Sequence, residues 1–77
     1  MLTGGGRNVK LTNRLYVARA ERRMSQTELA QLAGVTRQTI GAIETGKYVP
    51  SALLAFILAR RLELPVDQLF ELEDDAS

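Results

Sequence analysis

The sequence predicts a small all-α domain of five helices, to which the two ends of the chain can add a short antiparallel strand pair. Three observations lead to this prediction. Residues that favour helix N-caps, Ser25, Thr36 and Ser51, each precede a stretch in which apolar side chains recur at helical spacing. Gly34 stands where a chain leaving a helix often needs a positive φ angle, which costs glycine little. The chain contains only two Tyr, two Phe and no Trp, so its core must be mainly aliphatic.

Chain length and composition exclude several classes of protein. The 77 residues are enough for one small domain. Cysteine and histidine are both absent, which removes disulfides, cysteine-based metal sites and the commonest general base. No apolar run reaches about 18 residues and no secretory signal pattern opens the chain, so the expected location is the cytoplasm. The sequence shows no nucleophile–base pair and no phosphate-cradling loop, so we expect no enzymatic activity, metal, cofactor or small-molecule ligand.

The net charge of +1 conceals a segregation of the two signs. Four of the nine acidic residues lie at position 71 or later, which leaves ten basic and five acidic side chains, a formal charge of +5, in residues 1–70. A basic body suits a partner rich in phosphate, because binding releases counterions. Surface lysines and arginines can also serve solubility alone.

The chain divides into three expected segments. Residues 1–8 contain three consecutive glycines and are expected to form a disordered arm; the alternative is a basic arm that touches nucleic acid through Arg7 and Lys10. Residues 9–72 are expected to form the folded domain. Residues 73–77 are expected to be an acidic tail that frays, together with the two residues before it.

The first two helices are predicted from their caps. The first helix is expected to run from about residue 14 to 23, with Asn13 as its cap and Leu15 and Ala18 on its inner face. The second helix is expected to run to about residue 33. Its N-cap Ser25 is followed three residues later by Glu28, which completes a capping box.

The third helix follows after a sharp corner formed by Gly34 and the apolar Val35. It is expected to span residues 37 to about 45, with Ile40 and Ile43 pointing inward. Two helices joined by a short turn that contains glycine form a helix-turn-helix unit. In such units the N-terminal end of the second helix is the part that enters the DNA major groove.

The fourth helix is unusual because it is apolar on two faces. It is expected to run from Ala52 to about Leu62, after Pro50 stops the preceding helix. Its inner face consists of Leu54, Ala55, Leu58, Ala59 and Leu62. Its outer face consists of Leu53, Phe56 and Ile57. An all-round apolar helix in so small a domain implies a second burial partner.

A short fifth helix is expected to begin at Leu64 and Pro65, since proline suits the first turn of a helix. Val66, Leu69 and Phe70 provide its apolar side chains.

Taken together, these motifs resemble the Xre-type, or lambda-repressor-like, family of helix-turn-helix transcriptional regulators. The residues that carry the resemblance are Ser25-Gln26-x-x-Leu29-Ala30, Gly34-Val35-Thr36, Ile43-Glu44-x-Gly46-Lys47, Pro50-Ser51 and Leu64-Pro65-x-x-x-Leu69-Phe70. The similarity covers roughly residues 11 to 72. It implies a five-helix lambda-repressor-like domain that binds double-stranded DNA with sequence specificity and regulates transcription, which we expect to be repression.

Candidate DNA contacts cluster around the third helix. Arg37 can place its guanidinium fork on guanine, and Gln38 can make a bidentate contact with adenine. Thr39 can reach a phosphate or a thymine methyl, and the small Ala42 permits close approach to the groove. The expected base-reading residues are therefore Arg37, Gln38, Thr39 and Ala42. The expected phosphate contacts are Gln26, Thr36, Thr45, Gly46 and Lys47, the last three through backbone N–H groups and a cation.

The family resemblance has two further structural implications. Arg19 is expected to pair with Glu44 at the end of the third helix, the alternative being that both charges face water. Gln26 is expected to brace the first residue of the third helix. In one branch of the family a short N-terminal strand pairs with a strand after the last helix, and residues 9–12 and 70–73 alternate in the way that this pairing requires.

A homodimer is expected because one reading helix specifies too few base pairs. Two such helices related by a dyad read a palindrome whose half-sites lie about one helical turn, ~34 Å, apart. The expected dimer interface consists of Leu53, Phe56, Ile57, Phe70 and Leu72. The alternative function is that of an antitoxin, or another protein-interaction module of the same fold, whose exposed apolar face binds a partner protein.

Overall fold

Five helices lie between two strands that bring the ends of the folded domain together. The computed structural model describes residues 9–74. The elements are β1 (Val9–Asn13), α1 (Leu15–Glu21), α2 (Gln26–Ala33), α3 (Arg37–Glu44), α4 (Ala52–Leu62), α5 (Val66–Leu69) and β2 (Phe70–Asp74). The predicted disordered arm, residues 1–8, and residues 75–77 of the predicted tail lie outside the described residues. The predicted fold class, five helices with a strand pair at the ends, is confirmed.

The two strands pair in antiparallel register. Leu11 lies opposite Leu72, and Lys10 lies opposite Glu73. β2 continues to Asp74, two residues beyond the predicted end of the domain at residue 72. The prediction that the chain frays from Glu71 onward is therefore wrong for residues 71–74. Main-chain pairing with β1 orders them, and the opposite charges of Lys10 and Glu73 are favourable neighbours across the strands.

The helix N-termini of α2, α3 and α4 are set by side-chain caps at the predicted residues. The Ser25 hydroxyl accepts from the Glu28 N–H at 3.0 Å, and the Glu28 carboxylate accepts from the Ser25 N–H at 2.8 Å. The Thr36 and Ser51 hydroxyls accept in the same way from backbone N–H groups three residues later, each at 3.1 Å. Each cap satisfies an N–H group that has no partner within its own helix.

The start of α1 differs from the prediction. Its N-cap position is Arg14, because Asn13 is the last residue of β1. The Asn13 side chain still accepts from the Leu15 N–H at 3.0 Å, and its amide nitrogen donates to the Ile43 carbonyl at 2.9 Å. A residue predicted as a simple cap therefore connects β1, the first turn of α1 and the last turn of α3.

The core is aliphatic with one exception. Its buried members are Leu15, Ala18, Leu29, Ala30, Ile40, Ile43, Leu54, Leu58, Ala59, Leu62, Leu69 and Phe70. Phe70 was predicted to lie in a dimer interface, but it is only 8% exposed and belongs to this core. It is the first residue of β2, not part of α5, and the extended backbone there lets its side chain join the helices. None of the helices within residues 9–74 is long and apolar enough to cross a membrane.

Candidate nucleic-acid interface

Helix α3 is anchored by one face and presents its N-terminal end to solvent. Ile40 and Ile43 are fully buried in the core. Thr36, Arg37 and Gln38, at and just after the N-cap, are exposed. The core thus fixes the axis of α3, while the long polar side chains at its beginning remain available for contacts outside the domain.

The other two predicted base-reading residues are less accessible. Thr39 and Ala42 are both half-buried. The Thr39 hydroxyl lies 3.0 Å from the Thr36 hydroxyl, and either oxygen can donate. Because these two hydroxyls already contact each other, the first turn of α3 presents Arg37 and Gln38 as its most accessible polar groups.

An ion pair ties α1 to the end of α3. Arg19 donates to Glu44 through Nε at 2.7 Å and through Nη2 at 3.3 Å. The two side chains are only 12% and 6% exposed, so the alternative that both charges face water does not hold. Arg19 also donates to the Met24 carbonyl at 2.9 Å, and its guanidinium carbon lies 5.3 Å from the centre of the Tyr16 ring. Such a shielded arrangement fixes the end of α3 against α1.

Gln26 connects this ion pair to the exposed end of α3. Its amide nitrogen donates to Glu44 Oε1 at 2.9 Å. Its amide oxygen accepts from Nη1 of Arg37 at 3.1 Å. The contact with Arg37 is the brace that the family resemblance implied. The contact with Glu44 was not foreseen, because the two residues are 18 positions apart and nothing in the local pattern links them.

The turn after α3 differs from the prediction in its hydrogen bonding. The backbone N–H groups of Thr45, Gly46 and Lys47 were expected to face phosphates. All three instead donate to carbonyls within the last turn of α3, at 2.8–3.1 Å. The Thr45 hydroxyl donates to the Gly41 carbonyl at 3.1 Å. Of this group, the exposed Lys47 ammonium is the component that remains suited to a phosphate.

The apolar residues predicted for a dimer interface lie in two separate grooves. Leu53 and Phe56 are 72% and 60% exposed, and with the half-buried Ile57 they line one groove. We call Leu53, Phe56 and Ile57 the α4 patch. Leu72 is 64% exposed and lines a different groove. With Val9, Leu11 and Val49 it forms what we call the ribbon patch.

Val49 is a member of the ribbon patch that the sequence analysis missed. It is 65% exposed, yet the sequence placed it in a connector between two helices and assigned it no role. The signal available in the sequence was an apolar residue next to Tyr48.

Within residues 9–74 no group of three carboxylates is arranged to hold a metal ion.

The shielded ion pair, the capped α2–α3 unit and the exposed beginning of α3 are features of a helix-turn-helix domain. The chain belongs to the helix-turn-helix family: the family model HTH_3 matches residues 15–69. The Xre-type resemblance seen in the sequence is thereby confirmed.

Relatives and solved structures agree with this assignment. An uncharacterised HTH-type transcriptional regulator of Methanocaldococcus jannaschii is 45% identical over 65 residues, which cover 84% of this chain and 98% of the relative. The regulator YgzD of Bacillus subtilis is 40% identical over the same fractions of both chains. The crystal structure of the restriction-modification controller protein C.AhdI from Aeromonas hydrophila is similar with a TM-score of 0.69 and 31% identity, over 71% of this chain and 83% of that one.

Proposed function

We propose that this chain is a sequence-specific regulator that binds double-stranded DNA as a homodimer, with α3 of each subunit in the major groove of a palindromic operator. The observation that carries the proposal is the geometry of α3. Its inner face is buried through Ile40 and Ile43, and its first turn exposes Arg37 and Gln38. A helix held in this way offers base-reading groups at a fixed position and direction.

The exposed side chains divide by chemistry into readers and positioners. Arg37 suits the O6 and N7 acceptors of guanine, and Gln38 suits the adjacent donor and acceptor of adenine. Lys47 carries a charge without a directional fork, so it suits a phosphate. The formal charge of +5 in residues 1–70 favours approach to DNA of any sequence.

A dimer is needed because α3 is short. Its eight residues span only ~12 Å, which is enough to read a few base pairs. We propose that the α4 patch forms the two-fold interface. It consists of three side chains at i, i+3 and i+4 on one regular helix, and it is separate from the groove that contains Gly46. A dimer that pairs through the α4 patch leaves Lys47, the residue after Gly46, free for phosphate contact.

Repression is the regulatory outcome that this geometry supports. A dimer on two half-sites occupies about two turns of DNA, which is enough to exclude another protein from a promoter. A regulator of this kind must reach the chromosomal DNA, so we propose a cytoplasmic location.

The operator can be found by selecting bound fragments from random DNA and sequencing them. On the selected site, we expect Arg37→Ala to weaken binding by ~1–3 kcal/mol and to relax specificity at one base pair of each half-site. Gln38→Ala should act in the same way at a neighbouring pair. Lys47→Ala should weaken all sequences alike and lower the salt slope by about one. Fluorescence anisotropy over a series of single-base substitutions and salt concentrations measures both effects.

Arg14→Ala is the matched control for charge. Arg14 is exposed and lies beside Glu21 and Asp67 in a groove that does not include α3. Removing the Arg14 side chain should therefore leave the sequence specificity unchanged. It should also lower the salt slope by less than Lys47→Ala does. Equal, sequence-independent losses for the Arg37, Gln38 and Lys47 variants would contradict the division into readers and positioners.

A further inference from the structure

Four side chains form an unbroken hydrogen-bonded series from α1 to the exposed end of α3. Arg19 Nε donates to Glu44 Oε2 at 2.7 Å. Gln26 Nε2 donates to Glu44 Oε1 at 2.9 Å, and Arg37 Nη1 donates to Gln26 Oε1 at 3.1 Å. The series begins at the shielded Arg19–Glu44 ion pair and ends at Arg37, the group proposed to read the DNA.

The chemistry of these groups gives the series a direction. An ionised carboxylate only accepts, so Glu44 attracts the amide nitrogen of Gln26 and not its oxygen. The amide oxygen is then turned away from Glu44. A guanidinium only donates, so Arg37 finds in that oxygen the acceptor it needs. The orientation of the Gln26 amide is therefore determined by the charges at both of its ends.

Glu44 is well suited to hold this orientation. Its side chain is only 6% exposed, which limits competition from water, and two nitrogens of Arg19 hold its carboxylate in place. The carboxylate cannot turn away from Gln26 without breaking part of that ion pair. The ion pair therefore also restricts the orientation of the Gln26 side-chain amide.

Gly41 provides the space that the amide occupies. A Cβ atom built at this position would lie 3.6 Å from Gln26 Nε2, an ordinary contact distance. A methyl group is therefore tolerated, whereas a longer side chain pointing in the same direction would compete with the amide for its position. The absence of a long side chain at residue 41 leaves room for Gln26 to reach Glu44 beside this turn of α3.

We propose that Glu44 is a positioning residue for base readout, which acts through Gln26 to hold the Arg37 guanidinium in place before DNA arrives. The proposal rests on the function proposed above and deepens it. Among residues 9–74 the Arg37 side chain makes only the hydrogen bond to Gln26, so its Nε and Nη2 groups remain open to a base edge. Holding one nitrogen in advance reduces the conformational freedom that Arg37 loses on binding.

The decisive variant is Glu44→Gln. A glutamine amide can both donate and accept, so the Gln26 amide can then face it in either orientation. We expect discrimination at the base pair read by Arg37 to fall about threefold to tenfold, which is the effect of losing one directed hydrogen bond. Binding to unrelated DNA should change no more than it does when one negative charge is removed at an exposed site, because Lys47, the proposed phosphate contact, is left in place.

The measurement is a double-mutant cycle in which affinities for the selected operator and for its single-base variants are compared. Wild type, Glu44→Gln, Arg37→Ala and the double variant are each titrated, with Glu21→Gln as the charge-matched control at an exposed site on α1. The expected result is that Glu44→Gln loses discrimination only where Arg37 is present. A purely structural role would instead lower the affinity for all sequences, with or without Arg37, and that result would overturn the proposal.

Gly41→Leu tests the same series without changing the Arg19–Glu44 pair, in case Glu44→Gln lowers the folded fraction. It should lose the same discrimination, again only where Arg37 is present, while Gly41→Ala should retain it. Relaxation measurements on the Arg37 Nε–H group without DNA should show greater mobility in Glu44→Gln and Gly41→Leu than in wild type. Unchanged mobility together with unchanged Arg37-dependent discrimination would overturn the proposal. The proposed function itself would be overturned by a different result. In that case the wild-type chain would show no preference among DNA sequences that Arg37→Ala abolishes.

Discussion

At the scale of single residues, the shape of the domain depends on a few side chains that serve two elements at once. Asn13 accepts from the first turn of α1 and donates to the last turn of α3. Arg61 of α4 donates through Nε to the Leu32 carbonyl at 3.1 Å. That carbonyl lies in the last turn of α2, where no partner is available within the helix and the helix dipole favours a cation.

Within residues 9–74, two residues other than glycine occupy the left-handed region that glycine normally fills. Glu63 ends α4 with a φ angle of 58°, and Arg23 follows α1 with a φ angle of 52°. At both places the next N–H reaches back to the carbonyl five residues earlier, as it does after Gly34 and Gly46. Helices α1 to α4 therefore end in the same kind of turn, with glycine in only two of the four cases.

Glu63→Gly should consequently stabilise the domain. Glycine relieves the steric cost of the left-handed conformation, and the change also removes a carboxylate from the negative end of the α4 dipole. We expect the free energy of unfolding to rise by about 1 kcal/mol, measured by urea denaturation. Glu63→Ala removes the charge and keeps the strained conformation, so it should be less stable than Glu63→Gly. Equal stabilities of the two variants would show that the backbone at residue 63 is not strained.

The sequence predicted the residue-scale features whose causes are local. Ser25 and Gly34 are recognisable because a cap and a left-handed turn depend on the residue itself and its near neighbours. The left-handed conformations of Arg23 and Glu63 carry no such signal, since nothing in either side chain favours them. The contact between Gln26 and Glu44 was also missed, because it depends on how α2 packs against α3.

At the scale of elements, the helices were predictable and the strand ends were not. The bounds of α2 and α4 follow from their caps and from apolar spacing within a dozen residues. The extent of β2 to Asp74 depends instead on main-chain pairing with Val9 at the other end of the domain. The sequence pattern of an acidic, alternating segment fits a frayed tail and a paired strand equally well.

Helix α3 contains a glycine in its interior, which should limit its stability. We expect Gly41→Ala to raise the free energy of unfolding by ~0.5–1 kcal/mol, because alanine has the higher helix propensity and its methyl group has room beside Gln26. Thermal denaturation followed by circular dichroism measures the change.

Gly46→Ala is the matched comparison for Gly41→Ala. The same substitution is made, but the φ angle of Gly46 is 78° and alanine adopts that region only with strain. We expect it to lower stability by ~1 kcal/mol or more. If both variants shifted stability in the same direction, backbone conformation would not be the property that distinguishes these two positions.

At the scale of the whole molecule, the α4 patch, the ribbon patch and the polar readers of α3 lie at different places on the surface of residues 9–74. The α4 patch and the ribbon patch line separate grooves, so the single interface predicted from the sequence is divided. The prediction merged them because helical periodicity locates Leu53 and Phe56 on one face but says nothing about where Leu72 lies. The pairing of β2 with β1 places Leu72 beside Val49 instead.

The division between the two patches leads to a test of the proposed homodimer. Leu53→Glu combined with Phe56→Glu places two charges on the α4 patch at positions that are mostly exposed, so the monomer should still fold. Full burial of such side chains contributes ~1.5–3 kcal/mol each, which is enough for their loss to dissociate a small dimer. We expect sedimentation to show a folded monomer that binds a palindrome only about as tightly as a single half-site, because bivalent binding is lost.

Val49→Glu combined with Leu72→Glu is the control, since it places the same two charges on the ribbon patch at residues that are 65% and 64% exposed. Net charge and the amount of exposed apolar surface change similarly in both double variants, so they differ mainly in which groove is charged. We expect the control to remain dimeric. Its added charges lie close to the turn at Gly46, so it should bind all DNA sequences somewhat less tightly at low salt. The opposite result, a monomeric Val49/Leu72 variant and a dimeric Leu53/Phe56 variant, would show that the interface is the ribbon patch. A partner subunit would then lie next to Lys47, and the spacing of the two half-sites would have to differ.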